Sequence, residues 1–412
     1  MAQTIFILLI IITVFDFIFE QWLDYLNATR FSKSLPSELE GVFDSNEYAK
    51  SQLYKKTNHR FGMVSSAFSF VLIMMMLLFG GFSLVDGWSE TITSHYVLQA
   101  LVFFAILGFA FDLLSTPFDL YDTFVIEEKF GFNKSTTKVF IADKLKGWLV
   151  SAILGGGILA LIIWMWKITG ENFWWIAWAF VSVFSLFMVM FYSQLIVPLF
   201  NKQSPLPDGD LKQAIYEFAE KAGFNLKNIY VIDGSKRSTK ANAYFTGLGN
   251  KKRIVLYDTL INELNTQEIV AVLAHEIGHY KKKHTIIGLI TGIAQTGIMF
   301  FVFSLLVSSP WLSEALGVSQ IKFHIALIAF AILYSPLSFA MGIGMNIISR
   351  KNEYQADAYA ASFGLAEELS SALKKLTANS LGNLTPHPLY VFFHYSHPTL
   401  LQRLQHLQKE VQ

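Results

Sequence analysis

The chain has 412 residues, 53% of them hydrophobic and only 15% charged, with a mean hydropathy of +0.42; soluble globular domains carry about 25% charged residues, so composition excludes that class. The formal net charge of +1 gives no electrostatic basis for a nucleic-acid partner. No cysteine is present, so disulfides are excluded and any zinc site must use histidines and carboxylates; the absence fits a globular part kept in a reducing compartment.

Taken in order, the first long apolar run is Ile5 to Leu23, enough to cross a bilayer. It lacks a basic leader and a small-residue cleavage site, so it is expected to be retained as a membrane helix. Six further runs predict spans at Met63 to Val85, Leu98 to Leu120, Trp148 to Trp166, Phe173 to Leu199, Thr285 to Ser308 and Phe323 to Ile348. Pro117, Pro198 and Pro336 are placed to kink or end their helices. Asp16, Glu20, Asp112, Gln194 and Asn346 fall at membrane depth, which fits either a polar bundle interior or ordinary interhelical hydrogen bonds.

The connections alternate in charge. The first carries Arg30, Lys33, Lys50, Lys55, Lys56 and Arg60, the third Lys129, Lys134, Lys138, Lys144 and Lys146, and the fifth is long and lysine-rich. The second, Asp86 to Val97, has no lysine or arginine, and the fourth and sixth hold only Lys167 and Lys322. The positive-inside rule then puts the odd connections and the C-terminus in the cytosol and the N-terminus outside.

The fifth connection reads as a small folded unit. Asp210 to Ala222 has helical apolar spacing, and short strands are predicted at Asn228 to Ile232, Ala241 to Thr246 and Arg253 to Tyr257, with Gly234 and the Gly247/Gly249 pair as turns. Asn265 followed by Glu268 opens a helix with a capping-box pattern. That helix contains His275-Glu276-Ile277-Gly278-His279. Its histidines lie one turn apart on one face, where both imidazoles can reach one metal ion, and Glu276 beside them can take a proton from metal-bound water. His284 lies well round the helix at about 100° per residue and follows three lysines, so it is expected to be exposed or interfacial.

A catalytic zinc needs a third protein ligand. After the last span come Glu353 and Asp357, one helical turn apart. Glu353 completes a His/His/Glu set, and Asp357 can accept the other N–H of a ligand imidazole; without the upstream motif both would pass for acidic residues at a membrane exit. His397 and Arg403 are candidates to stabilise an oxyanion, and the alternative is a C-terminal helix with His397-Pro398 at its start. The residues alone do not separate these two.

Several stretches in this order resemble one family. They are Thr123 to Lys129, Gly131 to Lys134, Pro198 to Lys202, Ser235 to Ser238, Asn242 to Phe245, His275 to His279, Asn352 to Asp357 and Ser396 to Pro398, and they look like the signatures of the type I CAAX prenyl proteases. The resemblance implies a mainly α membrane protein: seven transmembrane helices enclosing a water-filled chamber, with a small α+β zinc metalloprotease unit at the cytosolic face. It implies one Zn2+ held by His275, His279 and Glu353, with Glu276 as general base and Asp357 behind the ligands. His397 and Arg403 match groups near the reacting carbonyl, and Asn242, Ala243 and Tyr244 lie on a strand expected to pair with substrate backbone. It further implies a lipid-embedded protein acting on C-terminally prenylated peptides or proteins, from which the last three residues are removed.

The organisation expected is spans one to five in residues 1–200, a cytosolic metalloprotease unit in 201–284, spans six and seven in 285–348 and a cytosolic part carrying the third ligand in 349–412. The short stretch between Asn242 and His275, and no ER-retrieval motif after Gln412, point to a bacterial member in an inner membrane, the ER membrane being the eukaryotic counterpart. Other readings of the same residues are a broad-specificity quality-control zinc protease of the membrane, and a seven-helix transporter or receptor with a structural zinc. A scaffold with a degenerate protease site is disfavoured because each catalytic position is intact.

Overall fold

A computed structural model describes residues 1–31, 39–226, 228–246 and 253–411. Lys33 and the Gly247/Gly249 turn lie outside these. Seven helices are long and apolar enough to cross a membrane: Ala2–Ala28, Ser45–Leu78, Tyr96–Phe130, Thr137–Thr169, Phe173–Phe200, His284–Val307 and Phe323–Ala361. We refer to them as spans 1 to 7. Five of them contain an expected apolar run whole; span 6 stops one residue short of its run, at Val307, and span 2 stops short of its run, at Leu78.

The extensions have local causes. Span 2 starts at Ser45 because Asp44 and Glu47 form a full capping box, with Glu47 N donating to Asp44 Oδ1 at 2.7 Å. Lys50, Lys55, Lys56 and Arg60 therefore sit on the first turns of this helix and not in a loop. The run expected to continue to Val85 stops at Leu78, where Gly80 takes a left-handed conformation (φ 68°) and a separate helix, Gly81–Ile92, begins. In span 3 the helix passes through Pro117 and widens to π geometry at Asp122–Glu127.

Span 7 runs past the apolar run that ends at Ile348, as one helix of 39 residues from Phe323 to Ala361. No glycine or proline interrupts Arg350-Lys351-Asn352, so the helix simply continues. At 1.5 Å per residue it is ~58 Å long against a hydrocarbon core of ~30 Å. Its last turns stand clear of the membrane and carry Glu353 and Asp357.

The spans are packed at their ends and not between them. At one end Leu9, Leu77, Phe103, Phe173, Phe303 and Phe323 share a buried cluster, joined by the buried Lys322, which pairs with Asp86 at 2.7 Å. At the other end lie the core of the metalloprotease unit and a smaller cluster around Tyr54, Phe130 and Phe132. Between them no residue of 10–22, 55–76, 104–121, 137–162, 178–192, 285–299 or 331–352 is buried. A close-packed bundle of seven helices would bury its central faces. The bundle is therefore hollow.

Four of the polar groups at membrane depth have partners on other segments. Asp112 is an interhelical partner, holding Lys144 Nζ at 2.9 Å and accepting from Trp148 Nε1 at 3.1 Å. Asp16 accepts from Ser335 Oγ at 2.8 Å, and Asn346 donates to the Phe393 carbonyl at 2.8 Å. Glu20 faces His394 at 3.3 Å on the segment leading to His397.

The unit after span 5 contains a four-stranded sheet in the order β1-β2-β4-β3, with β1 Gln203–Pro205, β2 Ile229–Ile232, β3 Ala243–Thr246 and β4 Arg253–Tyr257. β2 and β4 are parallel, and the other pairs are antiparallel. Three strands match the expected ones, while β1 has only three residues, too few to show an alternating pattern. The predicted helix is present as Asp210–Lys221. It packs with the sheet on the metal-binding helix, Thr266–Lys281, around Ile215, Phe218, Ile254, Leu256, Ile269 and Leu273.

Candidate metalloprotease site

The metal-binding helix is fixed at its start. Asn265 Oδ1 accepts from Glu268 N at 3.0 Å, and Asn265 N donates to Glu268 Oε2 at 2.9 Å. Glu268 also accepts from Ser371 Oγ and Lys375 Nζ at 2.7 and 2.8 Å, which ties the helix to Ala366–Asn379. Burial alone would raise the pKa of the Glu268 carboxyl, but these partners hold it below the ordinary range.

Gly278 decides how closely this helix meets span 7. A Cβ there would lie 3.0 Å from Tyr359 Cβ, 3.1 Å from Ala356 Cα and 3.2 Å from Ala356 O. A side chain there would force its neighbours to shift by a few tenths of an ångström, and the close contact brings the helix with the two histidines against the helix with Glu353. Gly278→Ala should push the helices apart, costing about 1–3 kcal/mol of stability and lowering metal content. A melting temperature and zinc content equal to wild type would show that the contact is not needed.

The three donors converge. His275 Nε2 and His279 Nε2 are 3.1 Å apart, and Glu353 lies 3.4 Å from the first and 3.3 Å from the second. Tetrahedral zinc with bonds of about 2.0–2.1 Å places its donors ~3.3–3.4 Å apart. Glu353 Oε2 is buried without a hydrogen-bond partner, a costly state unless a cation is bound. Among the described residues this is the group of donors with metal-binding spacing. The residues fit a metal ion.

Each imidazole is held from behind. His275 Nδ1 lies 2.8 Å from Asp357 Oδ1, which turns Nε2 toward the metal position. Burial favours the neutral imidazole, but Asp357 and Glu353 outweigh it and push the His275 pKa up to about 9, so metal binding must displace a proton. His279 Nδ1 lies 3.0 Å from His284 Nδ1, and His284 Nε2 lies 2.9 Å from Gln355 Oε1. If His279 donates to His284 and His284 to Gln355, every ring nitrogen has a complementary role.

This corrects the expectation for His284, which is buried and not exposed. The angular argument assumed one continuous helix. The chain instead turns at Lys283, a non-glycine residue at φ 62°, and span 6 begins at His284 with its ring directed back to His279. The run of three lysines at Lys281 to Lys283 is the sequence signal for this helix end.

Arg403 is also placed differently from expectation. Its Nε and Nη2 donate to the two oxygens of Asp357, with Nε to Oδ2 at 2.9 Å, and Nη1 lies 3.5 Å from Glu353 Oε2. A guanidinium bound at both forks is committed to the carboxylates behind the metal position. The His397 side chain is 63% exposed, with Nε2 3.2 Å from Glu353 Oε1. Arg350 Nη1 donates to the Tyr395 carbonyl and helps fix the segment that carries it.

These groups line a cleft of about 520 Å³ together with Glu276, Ala241, Asn242, Ala243 and Phe245. Glu276 is half-buried and has no hydrogen bond or ion pair among the described residues. Among the described residues β3 is the last strand of the sheet on this side and pairs only with β4, so its outer edge has no partner strand there. Asn242 Oδ1 accepts from Ala243 N at 2.8 Å, which leaves its amide N–H groups for another partner. Tyr244 departs from the expected set. Alternation turns its ring to the other face of the sheet, where its hydroxyl is 3.2 Å from Ser193 Oγ, so only its backbone can serve the cleft.

Comparison with known proteins gives the same picture along the whole chain. Residues 24–202 match the family model described as CAAX prenyl protease N-terminal, five membrane helices, and residues 205–411 match peptidase family M48. A CAAX prenyl protease 1 homolog of Arabidopsis thaliana is 38% identical over 96% of this chain and 95% of that protein. CAAX prenyl protease 1 of Saccharomyces cerevisiae is 35% identical over 95% of this chain and 92% of its own length. The crystal structure of S. mikatae Ste24p superposes with a TM-score of 0.93 at 35% identity, covering 98% of this chain and 99% of that one. These relatives are eukaryotic and lend no support to a bacterial source. Seven membrane helices, a metal-donor triad on the metal-binding helix and span 7, and similarity over nearly the full length lead to one assignment: the chain belongs to the CAAX prenyl protease family, the integral-membrane zinc metalloproteases of peptidase family M48.

Proposed function

We propose that the protein binds one zinc ion through His275, His279 and Glu353 and hydrolyses the peptide bond that releases the last three residues of C-terminally prenylated CAAX peptides. The observation that carries this is the outer edge of β3 lining the same cleft as the donor triad and Glu276. An extended peptide can add to such an edge through main-chain hydrogen bonds, which sets its register. The hollow bundle offers a place for a chain with an apolar tail.

When bound, the zinc supplies a Lewis acid that acidifies the attacking water and polarises the scissile carbonyl. Glu276, unpaired beside the first ligand, takes the water's proton and passes it to the leaving amine. His397 stands exposed at the cleft and donates to the developing oxyanion. Arg403, bonded to Asp357, acts as a positioning residue for the donor cage.

Purified protein given a farnesylated CAAX peptide and its unprenylated twin, with and without chelator, tests the proposal. Chelator-sensitive cleavage of the farnesylated peptide alone is expected. Equal cleavage of both would favour a broad-specificity membrane protease.

Asn242 is assigned to substrate alignment by its free amide donors. Asn242→Ala should keep fold and zinc while lowering kcat/KM by roughly tenfold, the loss of one hydrogen bond of about 1.5 kcal/mol. A lower melting temperature with unchanged kcat/KM would reduce Asn242 to a strand cap.

We further propose that the active site faces the cytosol. Ser204 is exposed in the metalloprotease unit, and Ser94 is exposed in the connection between spans 2 and 3. With no native cysteine to interfere, a cysteine at Ser94 should label only from the side of the membrane opposite the cytosol and one at Ser204 only from the cytosol. The reverse pattern would invert the topology.

A further inference from the structure

On the face of the metalloprotease unit away from the donor triad lies a second cleft, of about 690 Å³. Lys146, Lys202, Lys236 and Arg253 line it, with Asp233 as its carboxylate. Oδ1 of Asp233 is already taken, accepting from Asn201 Nδ2 at 3.0 Å and from Lys202 N at 2.8 Å. None of the four cations forms an ion pair among the described residues. Other cations nearby do: Lys144 pairs with Asp112 and Asp119, and Arg237 with Asp143.

The cations are also arranged. Arg253 is stacked over the Tyr230 ring at 4.8 Å, which holds its guanidinium in place and leaves its N–H groups for a ligand. Lys146 is anchored by its bond to the Leu199 carbonyl at 2.7 Å. Lys202 and Lys236 form no ion pair among the described residues; Lys236 and Lys146 lie near Asp143, but that carboxylate is bonded through both oxygens to Arg237. Four cations facing one cavity repel one another, so the arrangement costs stability until an anion enters.

The position identifies the kind of anion. Lys146 stands where the helix of span 4 enters its apolar run, and Pro198, Leu199 and Phe200 end span 5 at the rim. The cleft is therefore at headgroup level. Below it Tyr192, Leu195 and Leu199 are exposed on span 5 and offer an apolar track for an acyl chain. A free phosphate would use the cations alone, whereas a phospholipid uses both features. Topological lysines need only lie on the correct side of the membrane; they need not surround one cavity.

We propose that this cleft is a binding site for the headgroup of an anionic phospholipid, held by Lys146, Lys202, Lys236 and Arg253 with its acyl chains along span 5. Its placement in the cytosolic leaflet rests on the orientation proposed above, but binding in detergent does not depend on orientation.

The test titrates purified full-length protein in detergent with a fluorescent short-chain phosphatidylinositol bisphosphate and reads anisotropy. Saturable binding is expected, and the combined variant Lys202→Glu, Lys236→Glu, Arg253→Glu should weaken it by roughly 100-fold, since each cation near an anionic lipid contributes roughly fivefold. The control variant Lys50→Glu, Lys56→Glu, Lys129→Glu changes three exposed lysines elsewhere and should bind as wild type. An equal loss in the control would reduce the effect to diffuse charge and overturn the site. Displacement by inorganic phosphate at the probe's concentration would overturn the lipid assignment, as would equal binding of a phosphatidylcholine probe. Should the charge-reversed variant misfold, Lys202→Gln, Lys236→Gln, Arg253→Gln, with wild-type zinc content and melting temperature, must still lose tenfold or more.

Discussion

Glu276→Gln should retain one zinc per chain and lose nearly all turnover. The substitution keeps size and shape and leaves the donors as they are. His275 remains held by Asp357 at 2.8 Å and His279 by His284 at 3.0 Å. Glu276 makes no hydrogen bond that positions these groups, so its loss should not disturb metal binding. What disappears is a base able to accept the water's proton and return it to the leaving amine. Removing such a group costs roughly 10²–10⁴-fold in rate. Zinc content by elemental analysis and kcat on a farnesylated peptide, measured on one preparation, check both halves. Turnover near wild type would remove Glu276 from the mechanism, and loss of metal would make it part of the donor set.

Glu353→Ala should abolish zinc binding, as should His275→Ala or His279→Ala, whereas Asp357→Ala should only weaken it. Glu353 places Oε2 3.4 Å from His275 Nε2 and Oε1 3.3 Å from His279 Nε2, and no described carboxylate has that spacing in its place. Asp357 touches His275 through Nδ1, the nitrogen turned away from the metal, and it anchors Arg403. Its removal frees the imidazole to rotate and leaves a buried guanidinium without its main partner. Groups in that position typically contribute 10–100-fold in metal affinity. Zinc titration of the apo-proteins should therefore show Asp357→Ala recovering occupancy at high zinc and Glu353→Ala failing to. If both fail equally, the two residues have been assigned in the wrong order.

What the sequence determined by itself was local. An apolar run of about 20 residues has one inexpensive conformation in a bilayer, a helix, so seven runs meant seven spans. The spacing of His275 and His279 and that of Glu353 and Asp357 follow from helical periodicity, and Asn265 with Glu268 marks a helix start through hydrogen bonds only three residues long. The convergence of Glu353 on the histidines could be expected only from their chemistry and from a family resemblance; the close approach at Gly278 brings it about. Contacts between distant segments decided the remainder. His284 turns inward because the backbone reverses at Lys283, a feature that periodicity cannot register. Arg403 binds Asp357 because the C-terminal helix folds back across span 7, and Tyr244 is lost to the cleft because pairing with β4 sets which face of β3 it occupies. The hollow of the bundle was implied by the family resemblance, but the apolar pattern of the spans does not reveal it. A residue facing lipid and one facing an open interior can be equally apolar, so only the packing of the span ends reveals the space between them.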